Sequence, residues 1–191
     1  VGCAMGCAFC KTGTLGFLRN LGPDEIVEQF HHLRERRGFI SNVVFMGMGE
    51  PLLNLENVRK SISILSHPAG IGLSMRKITI STSGIVPAIL DLAKNSPNVR
   101  LAVSLTSANP DLRTELMPVN RKWPLDDLKS ALLEYQQDTN ARITFEVVLL
   151  GGLNVGEKDA IELVNWITPI KSQVNLIAWN PIDGMPFKTP S

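Results

Sequence analysis

The stretch Val1-Gly2-Cys3-Ala4-Met5-Gly6-Cys7-Ala8-Phe9-Cys10 decides how the rest of this chain is interpreted. Its cysteines have the spacing C-x-x-x-C-x-x-C, and they are the only three cysteines among 191 residues. A tight loop with this spacing can point three thiolates at one centre, and such sulfur sites favour zinc or iron–sulfur clusters. Both a structural zinc ion and a four-iron cluster normally take four ligands. The sequence therefore favours a cluster with one iron left for a non-protein ligand, with structural zinc or free thiols as alternatives.

Composition places the chain among ordinary globular proteins. The length fits one domain over residues 1–191, 44% of the residues are hydrophobic, and the formal net charge is +1. No apolar run approaches the roughly 18–20 residues of a membrane span, and no signal-peptide pattern is present. Clustered cysteines without a disulfide framework indicate a reduced, cytoplasmic compartment. The near-neutral charge gives no indication of nucleic-acid binding, because phosphate contacts usually require excess Lys and Arg.

Strand and helix patterns alternate along the chain, which predicts parallel βαβ units and an α/β fold. Five complete strands are predicted at about residues 42–46, 77–82, 99–105, 142–150 and 174–179. Helices are predicted at about residues 23–37, 55–66, 85–94, 110–116, 125–137 and 157–167. The residues before Cys3 are interpreted as the end of a truncated first strand.

Small and polar residues follow the predicted strands. Gly47-Met48-Gly49-Glu50 follows the first complete strand, Ser81 and Ser104 end the next two, and Asn180 follows the last. Ligands of parallel α/β folds gather at the carboxyl ends of strands, where the cysteine loop is also expected. Glycines allow close backbone approach, and the hydroxyl and amide groups can hydrogen-bond a ligand. Taken singly, each of these residues is equally typical of a turn or a helix cap.

Four blocks of sequence resemble one known family. They are Cys10-Lys11-Thr12-Gly13, Gly16-Phe17-Leu18-Arg19-Asn20-Leu21, Gly47-Met48-Gly49-Glu50-Pro51-Leu52 and Ser81-Thr82-Ser83-Gly84. In this order they closely resemble the RlmN/Cfr family of radical S-adenosylmethionine (SAM) RNA adenine methyltransferases. The resemblance covers essentially the whole chain. It implies a partial (β/α)6 barrel of the radical SAM type, with residues 1–191 forming a single core domain. A family N-terminal accessory domain and a C-terminal catalytic-cysteine segment are expected to lie outside this chain.

The resemblance also implies the cofactors and the residues that bind them. The expected cofactors are a [4Fe-4S] cluster held by Cys3, Cys7 and Cys10, and SAM bound to the open iron. Family SAM contacts carry over to Gly49, Glu50, Ser81, Ser104, Thr106 and Asn180. Relatives usually have His where this chain has Thr106, and a small residue where it has Lys11. Pro51 and Ser83 match the RlmN branch, which methylates carbon 2 of adenine, better than Cfr.

The family reaction is reductive cleavage of SAM to a 5′-deoxyadenosyl radical, which takes hydrogen from a methyl group carried on a cysteine. A second cysteine resolves the adduct with adenine. Because all three cysteines of this chain are expected to bind the cluster, it is predicted to contain no catalytic residue and to be unable to methylate RNA by itself. Ribosomal RNA and tRNA are the expected partners of the intact protein, with an electron donor such as a flavodoxin, and the protein is expected to be monomeric. The alternatives are a radical SAM enzyme with another substrate, including Cfr-like carbon-8 methylation, and a non-catalytic zinc-stabilised α/β binding module.

Overall fold

A computed structural model describes residues 1–95 and 98–190 of the chain. Within them, five strands form one parallel sheet whose spatial order follows the chain. The strands are β1 (Val43–Phe45), β2 (Ile78–Thr82), β3 (Arg100–Ser104), β4 (Ile143–Leu149) and β5 (Ser172–Ala178). The helices are α1 (Lys11–Thr14), α2 (Pro23–Arg37), α3 (Leu55–Ser66), α4 (Val86–Asn95), α5 (Pro110–Leu116), α6 (Leu125–Thr139) and α7 (Glu157–Ile167). Short 3-10 helices cover Pro51–Asn54, Met75–Lys77 and Pro118–Arg121.

The predicted α/β class and all five complete strands are confirmed. So are the six longer helices, whose starts are marked by proline or acidic residues. The one-turn helix α1 was not predicted, because Lys11-Thr12-Gly13-Thr14 has no helical periodicity. Its turn depends on hydrogen bonds from the Gly13 amide to the Cys10 carbonyl and from the Thr14 hydroxyl to the Lys11 carbonyl. At the predicted truncated strand, Gly2 forms an isolated antiparallel bridge with Phe17.

One face of the sheet is apolar and packs against helices. Alternate residues of the three central strands point to this face and are completely buried: Ile78, Ile80, Leu101, Val103, Ile143 and Phe145. They share one core cluster with buried residues of α3, α4 and α6, such as Ile62, Ile89 and Leu128. Buried side chains on both sides of this interface explain why the strands have β-branched, nearly continuous apolar sequences.

The opposite face of the sheet is polar and surrounds a cavity. Residues from all five strands line this cavity of about 720 Å³, which shows that the sheet curves around it. Thr144 receives a hydrogen bond from the Gln173 amide (3.1 Å), and Glu146 receives one from the Asn175 amide (2.8 Å). The sheet therefore has the curvature of a partial barrel with a hydrogen-bonding interior.

The strand register brings the carboxyl ends of the strands to one edge. Ser81 pairs with Ala102, and Ser104 pairs with Glu146, so the ends of β2 and β3 lie side by side. Among the described residues, every helix is too short or too polar to cross a bilayer.

Removing a side chain from the core should show how much the fold depends on this packing. Ile80 is fully buried in β2, and Ile80→Ala is expected to lower the free energy of unfolding by about 2–5 kcal/mol through lost contacts and a cavity. Ile64 in α3 is 46% exposed, so Ile64→Ala should change it by no more than about 0.5 kcal/mol. Urea unfolding of both variants would measure the difference. Equal losses would contradict the assigned core.

Candidate functional site

The cysteine loop, residues 1–10, is held against the carboxyl edge of the sheet by two long-range hydrogen bonds. The Ala8 amide donates to the Leu116 carbonyl at the end of α5 (2.9 Å). The Trp179 indole, which follows β5, donates to the Phe9 carbonyl (2.9 Å). The loop is therefore attached at two separate points of the barrel rim, between its second and third cysteines.

A local contact shapes the beginning of the loop. The Cys3 amide donates to the Gly16 carbonyl (3.0 Å), which brings the segment after α1 back against Gly2. A Cβ on Gly2 would lie 2.1 Å from that carbonyl oxygen, and Gly2 also has a φ of +76°. Glycine is thus required at position 2 both by the close approach and by the backbone conformation.

The three thiols lie in one partly buried electrostatic environment. All three cysteines are free and of intermediate exposure. Burial, together with the neighbouring Cys10 and Cys3, raises the pKa of Cys7 to about 12 against the opposing charge of Arg113. Burial also raises the pKa of Cys3, to which Glu50 and Cys10 contribute. Cys10 acts on the pKa of both Cys3 and Cys7, as expected if the three thiols lie around a common centre.

A cluster has different geometric demands from a single ion. In residues 1–95 and 98–190, no group of three or more His, Cys, Asp or Glu side chains is arranged to hold one metal ion. Each thiolate of a cluster site binds a different iron, so its sulfurs need not converge on a single point. The donor set of three soft thiolates fits an iron–sulfur cluster with one iron not bound by protein.

Cys3 shares a cavity with the glycine-rich turn after β1. This cavity of about 360 Å³ is lined by Cys3 and by Gly47, Met48, Gly49 and Glu50, together with apolar residues of β1 and α2. Gly49 has a φ of +154°, and a Cβ there would lie 3.4 Å from the Gly2 carbonyl oxygen. The structure therefore brings the first cysteine and the glycine turn together, and leaves open space between them.

Glu50 is fixed by hydrogen bonds rather than left free in this cavity. One carboxylate oxygen accepts bonds from the Ser83 amide (2.7 Å) and the Ser83 hydroxyl (2.8 Å), and the other accepts from the Leu52 amide (3.1 Å). Burial raises its pKa, while these donors lower it. Glu50 thus links the end of β1 to the end of β2, close enough to the thiols to affect the pKa of Cys3 and Cys7.

The remaining predicted contacts lie along the same rim. Ser81 is buried in β2, Ser104 ends β3, and the exposed Asn180 follows Trp179 beyond β5. Since Trp179 binds the cysteine loop, Asn180 lies beside the attachment point of that loop. Their roles toward SAM stay predictions.

Thr106 is the most unusual residue of the rim. It has a φ of +59°, which is a rare conformation for a β-branched residue, and it is 1% exposed. Its carbonyl accepts a hydrogen bond from the Asn154 amide group (2.8 Å), and its amide donates to the Glu146 carbonyl. Within the described part of the chain, its buried hydroxyl has no hydrogen-bond partner. Strained residues held in this way cluster at functional sites, so the family position of Thr106 remains a candidate ligand contact.

Arg113 is a component of the site that the sequence did not reveal. It is completely buried in α5 and contacts the ends of β2 and β3. The sequence contains one signal for this position, the apolar residues Leu116 and Met117 three and four positions after Arg113. Both are buried, and in a helix they share a face with Arg113, which places Arg113 toward the core.

The raised pKa of Cys7 predicts slow alkylation in the protein without cofactor. Because the thiolate is the nucleophile, the rate of reaction with iodoacetamide should keep rising with pH beyond pH 10 instead of levelling off near the ordinary thiol value. Peptide mass spectrometry of anaerobically prepared protein would resolve each cysteine. Unfolding in guanidinium should restore ordinary reactivity, and a plateau by pH 9 in the folded protein would contradict the burial of this thiol.

The contact between Gly2 and Gly16 predicts that a methyl group at position 2 disturbs the loop. Gly2→Ala should lower the iron content after reconstitution to less than half of the wild-type value, because the Gly16 carbonyl must move away and take the Cys3 hydrogen bond with it. Gly16→Ala is the control: its φ is also positive, at +72°, but nothing lies within 4 Å of the added Cβ. It should carry only backbone strain, of about 1–2 kcal/mol. Equal iron content in the two variants would contradict this role of Gly2.

Comparisons with known proteins agree with this geometry. The family model described as the radical SAM superfamily matches residues 1–166. A probable dual-specificity RNA methyltransferase RlmN from Treponema denticola is 53% identical over 190 residues, which cover 100% of this chain and 55% of that protein. The dual-specificity RNA methyltransferase RlmN from Syntrophobacter fumaroxidans is 49% identical, with 100% and 56% coverage. The chain spans about half the length of the curated relatives it matches.

Solved structures give the same result. A radical SAM methyltransferase from Sphaerobacter thermophilus superposes with a TM-score of 0.96 and 43% identity, covering 100% of this chain and 57% of that one. Streptococcus suis SuiB, in a structure bound to S-adenosylmethionine, has a TM-score of 0.70 at 17% identity, covering 100% of this chain and 41% of its own. The second likeness concerns the fold alone. The resemblance expected from the four sequence blocks is confirmed, as is the radical SAM type of the fold.

Proposed function

The chain belongs to the radical SAM superfamily, and on that premise we propose that it is the cofactor-binding core of an RNA adenine methyltransferase similar to RlmN. The observation that carries the proposal is the position of the cysteine loop. It lies at the carboxyl edge of a curved parallel sheet, with its first cysteine facing a glycine turn across open space.

The cofactors of the superfamily are a [4Fe-4S] cluster and SAM. When bound, they supply the electron transfer and the radical chemistry, while the protein binds, orients and shields them. Cys3, Cys7 and Cys10 would hold the cluster, since they are the only thiols of the chain and share one environment.

The rim residues would bind SAM through complementary polar groups. Gly49 lines the cavity, and as a glycine it has no side chain that would keep a ligand away. Its backbone can therefore approach the amino-acid end of SAM closely. Glu50 would add negative charge near the amino group, but mainly keeps the turn in place through Ser83 and Leu52. Ser81, Ser104, Thr106 and Asn180 offer the hydrogen-bonding groups for the rest of SAM.

RNA is the proposed substrate because the two curated relatives described above are named dual-specificity RNA methyltransferases. Carbon 2 of adenine is the proposed target, in line with the RlmN name, and ribosomal RNA and tRNA are the proposed partners of the intact protein. A flavodoxin-like electron donor, a monomeric state and a cytoplasmic location belong to the same proposal.

We further propose that the 191-residue chain binds its cofactors but does not itself transfer a methyl group to RNA. All three of its cysteines are assigned to the cluster, so none remains to carry a methyl group. Transfer of labelled methyl from SAM to ribosomal RNA by this chain alone would contradict this part of the proposal.

Anaerobic reconstitution tests the proposed cofactors. The chain should bind about four iron and four sulfide, as in a four-iron cluster, and with a reductant it should release 5′-deoxyadenosine from SAM. Each of Cys3→Ala, Cys7→Ala and Cys10→Ala should abolish that release. Lys11→Ala, an exposed change next to the loop, should leave it intact. A colourless protein that contains zinc and no iron would contradict the proposal and support the zinc-stabilised binding module.

Thr106 favours one second candidate, a radical SAM enzyme with another substrate, because it stands where relatives have His. Mass spectrometry of adenines methylated by the parent protein distinguishes the possibilities. 2-Methyladenosine supports the proposal, whereas 8-methyladenosine or an unmodified RNA would overturn the assigned substrate position.

A further inference from the structure

The guanidinium of Arg113 joins the carboxyl ends of two neighbouring strands. One nitrogen donates to the Ser83 carbonyl (2.9 Å), just after β2, and the other donates to the Ser104 carbonyl (3.0 Å) at the end of β3. The second nitrogen also donates to the Leu105 carbonyl. Arg113 is 0% exposed, so these contacts are made entirely within the protein.

The partners of Arg113 are electrically neutral. Its acceptors are three main-chain carbonyls and the Met117 sulfur, at 3.3 Å. Within residues 1–95 and 98–190, its Nε has no hydrogen-bond partner. A buried charge is costly unless an opposite charge or strong hydrogen bonds compensate it. Burial lowers the pKa of Arg113 to about 10.

The cysteine loop is attached to the same helix. Three residues after Arg113, the Leu116 carbonyl accepts the hydrogen bond of the Ala8 amide, next to Cys7. The Met117 amide donates to the Arg113 carbonyl (2.7 Å), so the end of α5 is fixed relative to the buried guanidinium. The position of Arg113 and the position of Cys7 are therefore coupled through one short segment.

Arg113 is also linked to the Glu50 carboxylate through a single residue. The Ser83 carbonyl accepts the bond from Arg113, while the Ser83 amide and hydroxyl donate to Glu50. Three cluster-bound thiolates next to the Glu50 carboxylate would concentrate negative charge at this rim, where low polarity strengthens repulsion.

We propose that Arg113 is a positioning residue of the cluster site, which clamps the ends of β2 and β3 and places a buried positive charge at the rim that carries the cysteine loop. The inference rests on the proposed function, because it assigns Cys7 to the cluster. Arg113 would contribute to the site in two ways. The hydrogen bonds fix the rim to which the loop is attached, and the charge favours the reduced, more negative state of the bound cluster.

Two substitutions separate charge from hydrogen bonding. Arg113→Lys keeps the positive charge but loses the fork of donors, and Arg113→Met removes both while filling similar space. The matched control is Arg59→Met, which removes the 2.7 Å ion pair with Asp91 between α3 and α4, away from the loop. Thermal melting of all variants shows whether they fold.

Hydrogen–deuterium exchange is measured first, on protein without cofactor. Exchange of peptides covering residues 1–20 should be at least tenfold faster in Arg113→Met than in wild type, and unchanged in Arg59→Met. Unchanged exchange in Arg113→Met would overturn the clamping role. If that variant does not fold, Arg113→Lys carries this test, with an intermediate increase expected.

The midpoint potential of the reconstituted cluster is measured second, by redox titration. Loss of the charge in Arg113→Met should make the potential more negative, whereas Arg113→Lys should stay close to wild type. A purely structural role would leave the potential unchanged wherever the cluster binds, and this result would overturn the countercharge role. Failure of wild-type protein to bind any cluster would instead refute the proposed function, while the exchange data would still test the clamp.

Discussion

Two hydrogen bonds, from the Ala8 amide to the Leu116 carbonyl and from the Trp179 indole to the Phe9 carbonyl, hold the cysteine loop over the rim of the sheet. A loop of ten residues has too little apolar surface to fix its own shape. Its conformation therefore depends on being attached to α5 on one side and to the end of β5 on the other. The site is the place where elements from the beginning, middle and end of the chain meet.

The sheet forms this rim, and its two faces differ in polarity and packing. The face that carries Ile80 and Phe145 is dry and packs against helices, which makes the strand ends rigid. On the other face, the Gln173 side chain donates to Thr144 and the Asn175 side chain donates to Glu146, around a cavity. Apolar packing on the first face thus stabilises the polar groups on the second, and sites on such rigid elements are more precise than sites on free loops.

Charge is the less obvious constraint on the site. Burial and neighbouring anions both disfavour the ionised form of the loop cysteines. The fold must therefore offset this cost if the cysteines are to bind a cluster as thiolates. Glu50 lies near these thiols and fixes the glycine turn through its hydrogen bonds with Ser83 and Leu52. Arg113 offsets this negative charge from within the core. The site combines a carboxylate that shapes the turn with a buried guanidinium that donates to three main-chain carbonyls and the Met117 sulfur.

Sequence reasoning identified the strands, the longer helices and the cysteine loop, because β-branched runs, helix-start residues and cysteine spacing are local signals. It did not identify Arg113 as a rim contact, since the three carbonyls it binds lie 8–30 residues away in sequence. It also gave no sign of the Trp179 contact with Phe9, which joins residues 170 positions apart. The left-handed conformation of Thr106 could not be predicted either, because β-branched residues strongly avoid it and only the surrounding contacts impose it.

Three thiolates of the loop are proposed to leave one iron of a cluster available to SAM. Electron paramagnetic resonance of the reduced, reconstituted chain tests it most directly, with and without SAM. We expect a four-iron cluster signal whose g-values change when SAM is added, because the amino-acid end of SAM would bind the open iron. A spectrum that saturating SAM leaves unchanged, or a protein that takes up no iron, would contradict it.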